Sequence, residues 1–564
     1  MRWTLKPKPE QHKINHLQNV LQVDGHIASL LIQRGIETFT DAKRFFRPNL
    51  GDLHNPYLMK DMDKAVARVE QALANQENIL IYGDYDVDGT TAVSLLFTYL
   101  KTRHTQVYYY IPDRYNEGYG VSIAGIDFAH ENDFTLIIAL DCGIKAIDKV
   151  AYAKTLGVDF IICDHHRPGD KIPEAVAVLD PKRADCGYPF KDLCGCGVGF
   201  KLVQALAEKT GHTTDCLVPY LDLVATAIGA DIVPINGENR ILAYYGLQVI
   251  NKNPRPGIKA IIAHINKPEL SITDVVFIIA PRINAAGRME HGNQAVALLT
   301  ANNMEDAHKL AENVNNFNSE RKEADKIITE AALNQIEQLG EQQRFTTVVY
   351  DEHWHKGVIG IVASRLTETY YRPTLVFTKS GDKLAASARS IKGFDVYEAL
   401  EACSEHILQY GGHKYAAGLT LNVESYDAFK QAFEDVVSKT IDKTLMTPEI
   451  HIDANIHLKD ITPKFYRILK QFAPFGPSNM TPIFMTEGLQ DTGFGKCVGE
   501  DQNHLRVTLT QKDFTANIVG IGFGLGEKHD LVSDGKRFSA VYSIDENTWQ
   551  GKTSLQLKLR DIKG

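Results

Sequence analysis

No stretch of this 564-residue chain approaches the apolar length of a membrane-spanning helix, and neither a low-complexity tract nor an internal repeat interrupts it. A helical membrane protein is thereby excluded. Cysteine is scarce: eight scattered residues are too few for a disulfide framework, so reduced, mostly buried thiols are expected. Only Cys186, Cys194 and Cys196 cluster, and without a fourth ligand at a plausible spacing they do not make a zinc site. Positive charge is also short. A formal net charge of −9 excludes a generally basic nucleic-acid coat but leaves room for a local basic channel on an acidic body. The first ten residues, Met1 to Glu10, carry lysines and prolines but no apolar run, so they do not read as a secretory signal and a cytoplasmic location is expected. Gln550-Gly551-Lys552-Thr553 has the tail of a phosphate-binding loop, yet Glu546 stands where its leading glycine belongs. A tight turn is the better reading, and no nucleotide cofactor is expected.

What is present is an ordinary globular composition, 44% hydrophobic and 23% charged, on a chain too long for one core. Two to four domains are expected. From about Asn78 to Pro234, short apolar runs alternate with helical patterns, as in parallel α/β proteins. Ile79–Tyr82, Val107–Tyr110, Leu136–Leu140 and Phe160–Cys163 lack polar alternation, which predicts strands buried on both faces. Met304 to Leu339 contains no glycine or proline and predicts one helix of about 50 Å joining two lobes. A second α/β segment follows from about Arg344 to Thr440. Alternating strands around Leu505–Leu509, Phe538–Tyr542 and Leu555–Leu559 then predict a small β-barrel, of which the oligonucleotide-binding fold is one form.

Three of the buried strands run directly into acidic or imidazole residues: Asp84, Asp141, and Asp164-His165-His166. Open α/β sheets place their sites at the carboxyl ends of strands, so these groups can converge although they are far apart in sequence. The loop Gly83-Asp84-Tyr85-Asp86-Val87-Asp88-Gly89-Thr90 sets three carboxylates at alternate positions, a costly arrangement unless a cation neutralises it. An EF-hand is excluded because Leu95 occupies the position of its bidentate glutamate and the loop follows a strand. A haloacid-dehalogenase-like nucleophile loop and a solvated acidic turn compete for the same residues. With Asp231, which follows the helical run Leu221 to Ile228, these groups could build a two-ion site for phosphate esters.

In order along the chain, the DYDVDG loop, Asp141-Cys142-Gly143, Asp164-His165-His166, Gly229-Ala230-Asp231-Ile232-Val233-Pro234 and Pro281-Arg282-Ile283-Asn284-Ala285-Ala286-Gly287-Arg288 resemble the motifs of the DHH phosphoesterase family. Gly411-Gly412-His413 with Ala416-Ala417-Gly418 is similar to the signature of the DHH-associated domain. The resemblance implies an α/β fold: an N-terminal segment (1–60), a parallel-sheet DHH catalytic domain (61–300), a connecting long helix (301–340), a smaller α/β DHH-associated domain (341–445) and an OB-like barrel (446–564). It implies Asp86, Asp88, Asp141, His165 and Asp231 as ligands of one or two Mn2+ or Mg2+ ions, with Asp84 supporting. His166, backed by Asp141 and Asp164, would face the scissile phosphate. Arg282, Asn284, Arg288, Gly412 and His413 would hold the substrate backbone, and Arg114, Ser387 and Arg389 the terminal 5′-phosphate. Some two-metal relatives carry a histidine where this chain has Tyr82, which bears on filling of the second ion site. Activity expected from the resemblance is 5′→3′ hydrolysis of single-stranded DNA to 5′-mononucleotides in repair and recombination, by a monomer working with a single-strand-binding protein and a helicase. The alternatives are a hydrolase of short oligoribonucleotides or cyclic dinucleotides, and a scaffold that binds single strands without cutting them.

Overall fold

In a computed structural model, which describes residues 1–512, 514 and 516–564, the chain opens with a short strand, β1 (Arg2–Leu5), whose partner lies far along the sequence. The catalytic core follows as β2 (Asn78–Gly83), β3 (Val107–Tyr110), β4 (Phe134–Leu140), β5 (Asp159–Cys163) and β6 (Ala177–Leu179). They form one parallel sheet in the order β3-β2-β4-β5-β6. The strands lack alternation because helices cover both faces. Leu95 and Leu96 of the helix Val87–Lys101 join Ile79, Ile81 and Ile138 in one core, while Ile126 and Val150 join Leu80 and Ile137 in the other. The sheet order reverses beside β2, so a crevice opens at the carboxyl ends of β2 and β4.

The helix Met304–Gln338 is unbroken for 35 residues, about 50 Å at 1.5 Å per residue. Its first half buries Ala307, Ala311 and Val314 in the catalytic core. Its second half buries Ile328, Ala332 and Ile336 against the next unit. That unit is a mixed sheet of β7 (Thr347–Tyr350), β8 (Thr374–Ser380), β9 (Lys383–Arg389), β10 (Gln409–His413) and β11 (Ala416–Asn422), ordered β10-β11-β9-β8-β7. Leu384, Ala386, Ala388, Leu419 and Leu421 face the helix Tyr426–Thr440.

β12 (Glu449–Ile452) pairs in parallel with β1, tying the amino-terminal strand to the segment that leads into the barrel. Then come β13 (Ala454–Asn455), β14 (Phe484–Asp491), β15 (Lys496–Val498), β16 (His504–Gln511), β17 (Ile518–Gly522), β18 (Phe538–Trp549) and β19 (Lys552–Lys563). Pairing of β14 with both β18 and β16 closes them into a barrel. Ile14, Leu17, Ile27, Leu30 and Leu31 share the barrel's hydrophobic core, whereas Leu50 and Met59 belong to the catalytic core. Gln550 and Gly551 turn β18 into β19 with φ of 49° and 77°, a two-residue hairpin of the primed kind. Lys552 therefore starts a strand, not a phosphate-binding helix. Among the described residues no helix is long and apolar enough to cross a membrane.

Candidate active site

The register of the catalytic sheet assembles the site. Gly83 pairs with Leu140, Leu140 with Cys163, and Cys163 with Leu179. Asp84, Asp141, Asp164 and Asp180 are each the next residue, so four carboxylates step off four adjacent strands along one line, at about 4.8 Å per strand. Asp86 caps the helix Val87–Lys101, accepting from Gly89 N at 3.0 Å. Asp88, the second residue of that helix, accepts from Gly195 N at 2.6 Å and Cys196 N at 2.7 Å, the opening amides of the helix Gly195–Lys209. Only glycine fits at 195, where a Cβ would stand 2.5 Å from Asp141 Oδ1. Asp231 closes the helix Leu221–Ala230.

His165 is the hub. Its Nε2 lies 3.2 Å from Asp141 Oδ1 and 3.7 Å from both Asp88 Oδ2 and Asp231 Oδ2. Ligand atoms of Asp88, His165 and Asp231 lie within 4.8 Å of one another, as do those of Asp141, His165 and His166. Both oxygens of Asp84 and Oδ1 of Asp141 are buried without a hydrogen-bond partner among the described residues. Burial, then the neighbouring carboxylates, push Asp84 and Asp141 well above the usual carboxylate range. Asp88 is raised to about 7 by burial and the charge of Asp231, and Asp231 to about 7 by burial and Asp86. Burial lowers His165, which keeps its imidazole in the neutral, ligating form. Stranded carboxylate oxygens around a neutral imidazole fit a hard divalent cation.

Asp164 has a different task. Its carboxylate accepts from Ile144 N at 2.9 Å, His165 N at 2.7 Å, His166 N at 3.1 Å and His166 Nδ1 at 2.8 Å. Burial would raise it, but these bonds and the His166 charge hold it at about 2. His166 responds in kind: burial opposes its charge, but Asp164 outweighs burial and raises its pKa. The His166 side chain is 43% exposed and its Nε2 lies 3.1 Å from Tyr119 Oη. Tyr82 turns to the opposite face of the sheet, where its hydroxyl donates to Gly120 O at 3.0 Å. It offers no ligand to the cluster.

Arginines gather where the lobes meet. Arg114 lies over the Tyr85 ring at 4.6 Å. Arg288 donates to Gly357 O at 3.0 Å, and Tyr115 donates to Arg288 O. Burial, then the positive charges of Arg114, Arg389 and Arg321, lower Arg288 to about 10, and burial with Arg114 lowers Arg389. Arg389 donates to Ser387 Oγ at 3.1 Å. Across the second sheet His413 pairs with Ala416 and Ala416 with Arg389, while Gly411 pairs with Gly418 and Gly418 with Ser387. These side chains share one face, which the glycines leave smooth. Gly412 has a φ of 144°, and a Cβ there would stand 2.4 Å from Ala416 O, so the hairpin itself demands glycine. Arg282 is committed elsewhere, to Asn315 of the long helix at 2.8 Å and Ile278 O at 2.7 Å. Asn284 is half-buried on the same helix, Ala280–Met289.

Sequence reasoning missed Tyr85, Tyr115, Tyr119 and Arg321; the aromatic and glycine-rich turn after β3 was the available signal for Tyr115 and Tyr119, and Tyr85 lies within the acidic loop after β2. It also named no binding residue in the barrel. There Lys496 pairs with Arg506, Arg506 with Ile521, and Ile521 with Lys558, a row on the outer face of β15, β16, β17 and β19. Phe494 and Phe523 are 72% and 65% exposed, and His504 meets Phe523 edge-on at 5.1 Å. Basic groups beside exposed rings are what single-strand binding uses.

Comparison with known proteins gives the same three-part division. A model of the DHH family, N-terminal domain, matches residues 78–228, the DHHA1 domain matches 342–439, and the RecJ OB domain matches 452–561. The chain is 36% identical to the single-stranded-DNA-specific exonuclease RecJ of Bacillus subtilis, over all of this chain and 70% of that protein. With its Escherichia coli counterpart identity is 33%, over 89% of this chain and 90% of that one. The crystal structure of Thermus thermophilus RecJ in complex with Mn2+ superimposes with a TM-score of 0.86 at 26% identity, covering 100% of this chain and 79% of that one. A second structure, of exonuclease RecJ bound to manganese, gives 0.61 at 31% identity, over 70% of this chain and 97% of that one.

Proposed function

This chain belongs to the RecJ family of single-stranded-DNA-specific exonucleases, and we propose that it cleaves single-stranded DNA from the 5′ end, releasing 5′-mononucleotides in repair and recombination. Supporting this reading above all is the convergence of Asp88, Asp141, His165 and Asp231 at one end of the sheet, on a molecule whose two lobes bring Arg114, Arg288 and Arg389 together. Asp86, Asp88, Asp141, His165 and Asp231 would hold Mn2+ or Mg2+, with Asp84 completing the acidic surround. Bound there, one or two divalent ions supply Lewis acidity and a water of lowered pKa.

The protein's own residues set the geometry. Asp164 holds the His166 ring by Nδ1 and favours its protonated form, so the half-exposed imidazole can pair with a phosphate oxygen. Arg114, Arg389 and Ser387 form an anion site suited to a terminal phosphate. A chain end anchored there and cut at the metal centre loses one nucleotide at a time. Arg288 and His413 would hold the backbone between them, and the basic row of the barrel would track the strand beyond. As a soluble cytoplasmic monomer, the enzyme would receive its strands from a single-strand-binding protein and a helicase.

Digestion of single-stranded DNA labelled at either end, with manganese or EDTA, beside duplex, RNA and an Asp141→Ala control, tests this. Metal-dependent mononucleotide release from the 5′ end alone, lost in the variant, is expected. Survival of the long strand while two- to five-nucleotide RNAs disappear would favour an oligoribonuclease instead.

A further inference from the structure

Two loops of the cluster enter the left-handed region, at Asp141 (φ 60°) and just after Asp231, and the second does so at a β-branched residue. That residue, Ile232, has a φ of 58° and a side chain that is 65% exposed. Such a conformation persists only where the surroundings hold it. Two sets of contacts do so. From the catalytic domain, wholly buried Asn239 donates through Nδ2 to Pro234 O at 3.1 Å and to Asp192 O at 2.6 Å. From the C-terminal region, Pro477 O accepts from Ile235 N at 2.7 Å. Gly476 lies flat on the same residue, since a Cβ there would stand 2.5 Å from Ile235 Cγ1.

The segment making that contact is itself locked. Asn479, 2% exposed, donates to Phe472 O at 2.8 Å and Pro474 O at 2.9 Å while accepting from Arg34 at 2.8 Å. Arg34 also reaches Met480 O at 2.8 Å. Arg240 binds the carbonyls of Phe472 and Ala473 at 2.9 and 3.0 Å.

We propose that residues 473–480 are a positioning element of the metal centre, holding Ile235 and, through the short span before it, the carboxylate of Asp231. The inference rests on the reading of Asp231 as a metal ligand. Docking of the C-terminal domain then sets metal affinity as well as strand binding. Groups that orient a ligand without touching the ion change metal affinity by about 10- to 100-fold.

The test is calorimetric titration of Mn2+ into the full chain. Gly476→Ala is expected to weaken Mn2+ binding about tenfold, with unchanged circular dichroism and unchanged single-strand affinity in EDTA. Adding Ile235→Ala, which removes the obstructing Cγ1, is expected to restore most of it. If Gly476→Ala does not fold, Asn479→Ala, which unlocks the same segment, carries the test. Leu489→Ala, a cavity on β14 of the barrel core and outside residues 473–480, is expected to lower thermal stability while leaving Mn2+ affinity intact. Wild-type affinity in Gly476→Ala, or in Asn479→Ala where that variant replaces it, overturns the proposal. So does an equal loss in Leu489→Ala, since affinity would then follow global stability. A wild-type chain that fails to bind Mn2+ would instead refute the metal reading on which the proposal rests.

Discussion

Asp141 and Asp164 leave neighbouring strands one residue past the same register line, yet their surroundings drive them in opposite directions. Asp164 receives four hydrogen bonds and sits at about 2, while Asp141, with Oδ1 unpartnered, is pushed well above the usual range. The difference separates a residue that orients His166 from one whose unpartnered oxygen suits a cation. It also gives the metal-free protein a pH signature. Asp88 and Asp231, at about 7, lie far above an ordinary carboxylate near 4. Their folded pKa values are raised, so the stability they contribute is fully present below about pH 4 and is lost as pH rises through 7. Divalent ions reverse the loss by binding the ionised forms and displacing protons. The gap in melting temperature between the Mn2+ and EDTA forms is therefore expected to widen from pH 5.5 to pH 8. Thermal melts at a fixed ionic strength measure it; a gap that stays constant would mean these carboxylates do not bind the ion.

Secondary-structure elements position the proposed phosphate-binding groups as much as single residues do, and glycines decide how closely they approach. The helix Ile359–Tyr370 meets β9 at Gly360, where a Cβ would stand 2.9 Å from Ser387 Oγ and 3.1 Å from Arg389 Nη2. Gly360→Ala is expected to displace both groups and cut the preference for 5′-phosphorylated over 5′-hydroxyl ends about tenfold, raising KM more than it lowers kcat. On the barrel, Arg506 lies mid-row and exposed. Arg506→Ala is expected to reduce the salt slope of single-strand binding by about 0.7, one phosphate contact, without changing hydrolysis of a dinucleotide. Strand ends were legible in the sequence because a buried parallel strand has no polar residues until it emerges, so Asp84, Asp141 and Asp164 announced themselves. Arg506 and Lys496 were not, because alternating exposed residues look alike on any barrel and only cross-strand register brings these two together. Arg282 fell between: its motif was visible, but its engagement with Asn315 depends on how the long helix packs.

At the scale of the whole molecule, three segments distant in sequence meet on one buried cation. Arg240, 4% exposed, lies in the helix Gly237–Lys252 of the catalytic core, and its hydrogen-bond partners among the described residues include no carboxylate. Its guanidinium binds Phe45 O from the N-terminal segment and the carbonyls of Phe472, Ala473 and Pro474 from the C-terminal domain, and packs 3.8 Å over the Phe45 ring. Burial lowers it to about 9, so it remains charged at neutral pH. Phe45 and Phe472 both belong to the barrel's core, which makes Arg240 the bolt between that unit and the catalytic domain. Replacing it with methionine keeps apolar volume but strips four main-chain carbonyls of a shared donor, at a cost of about 3 kcal/mol. Because the bonds cross a domain boundary, that cost falls on docking more than on either core. Arg240→Met is expected to split a single calorimetric unfolding transition into two, the N-terminal segment and barrel melting first and the catalytic core later. A single transition shifted down as a whole would show that the long helix and second lobe couple the units without this residue.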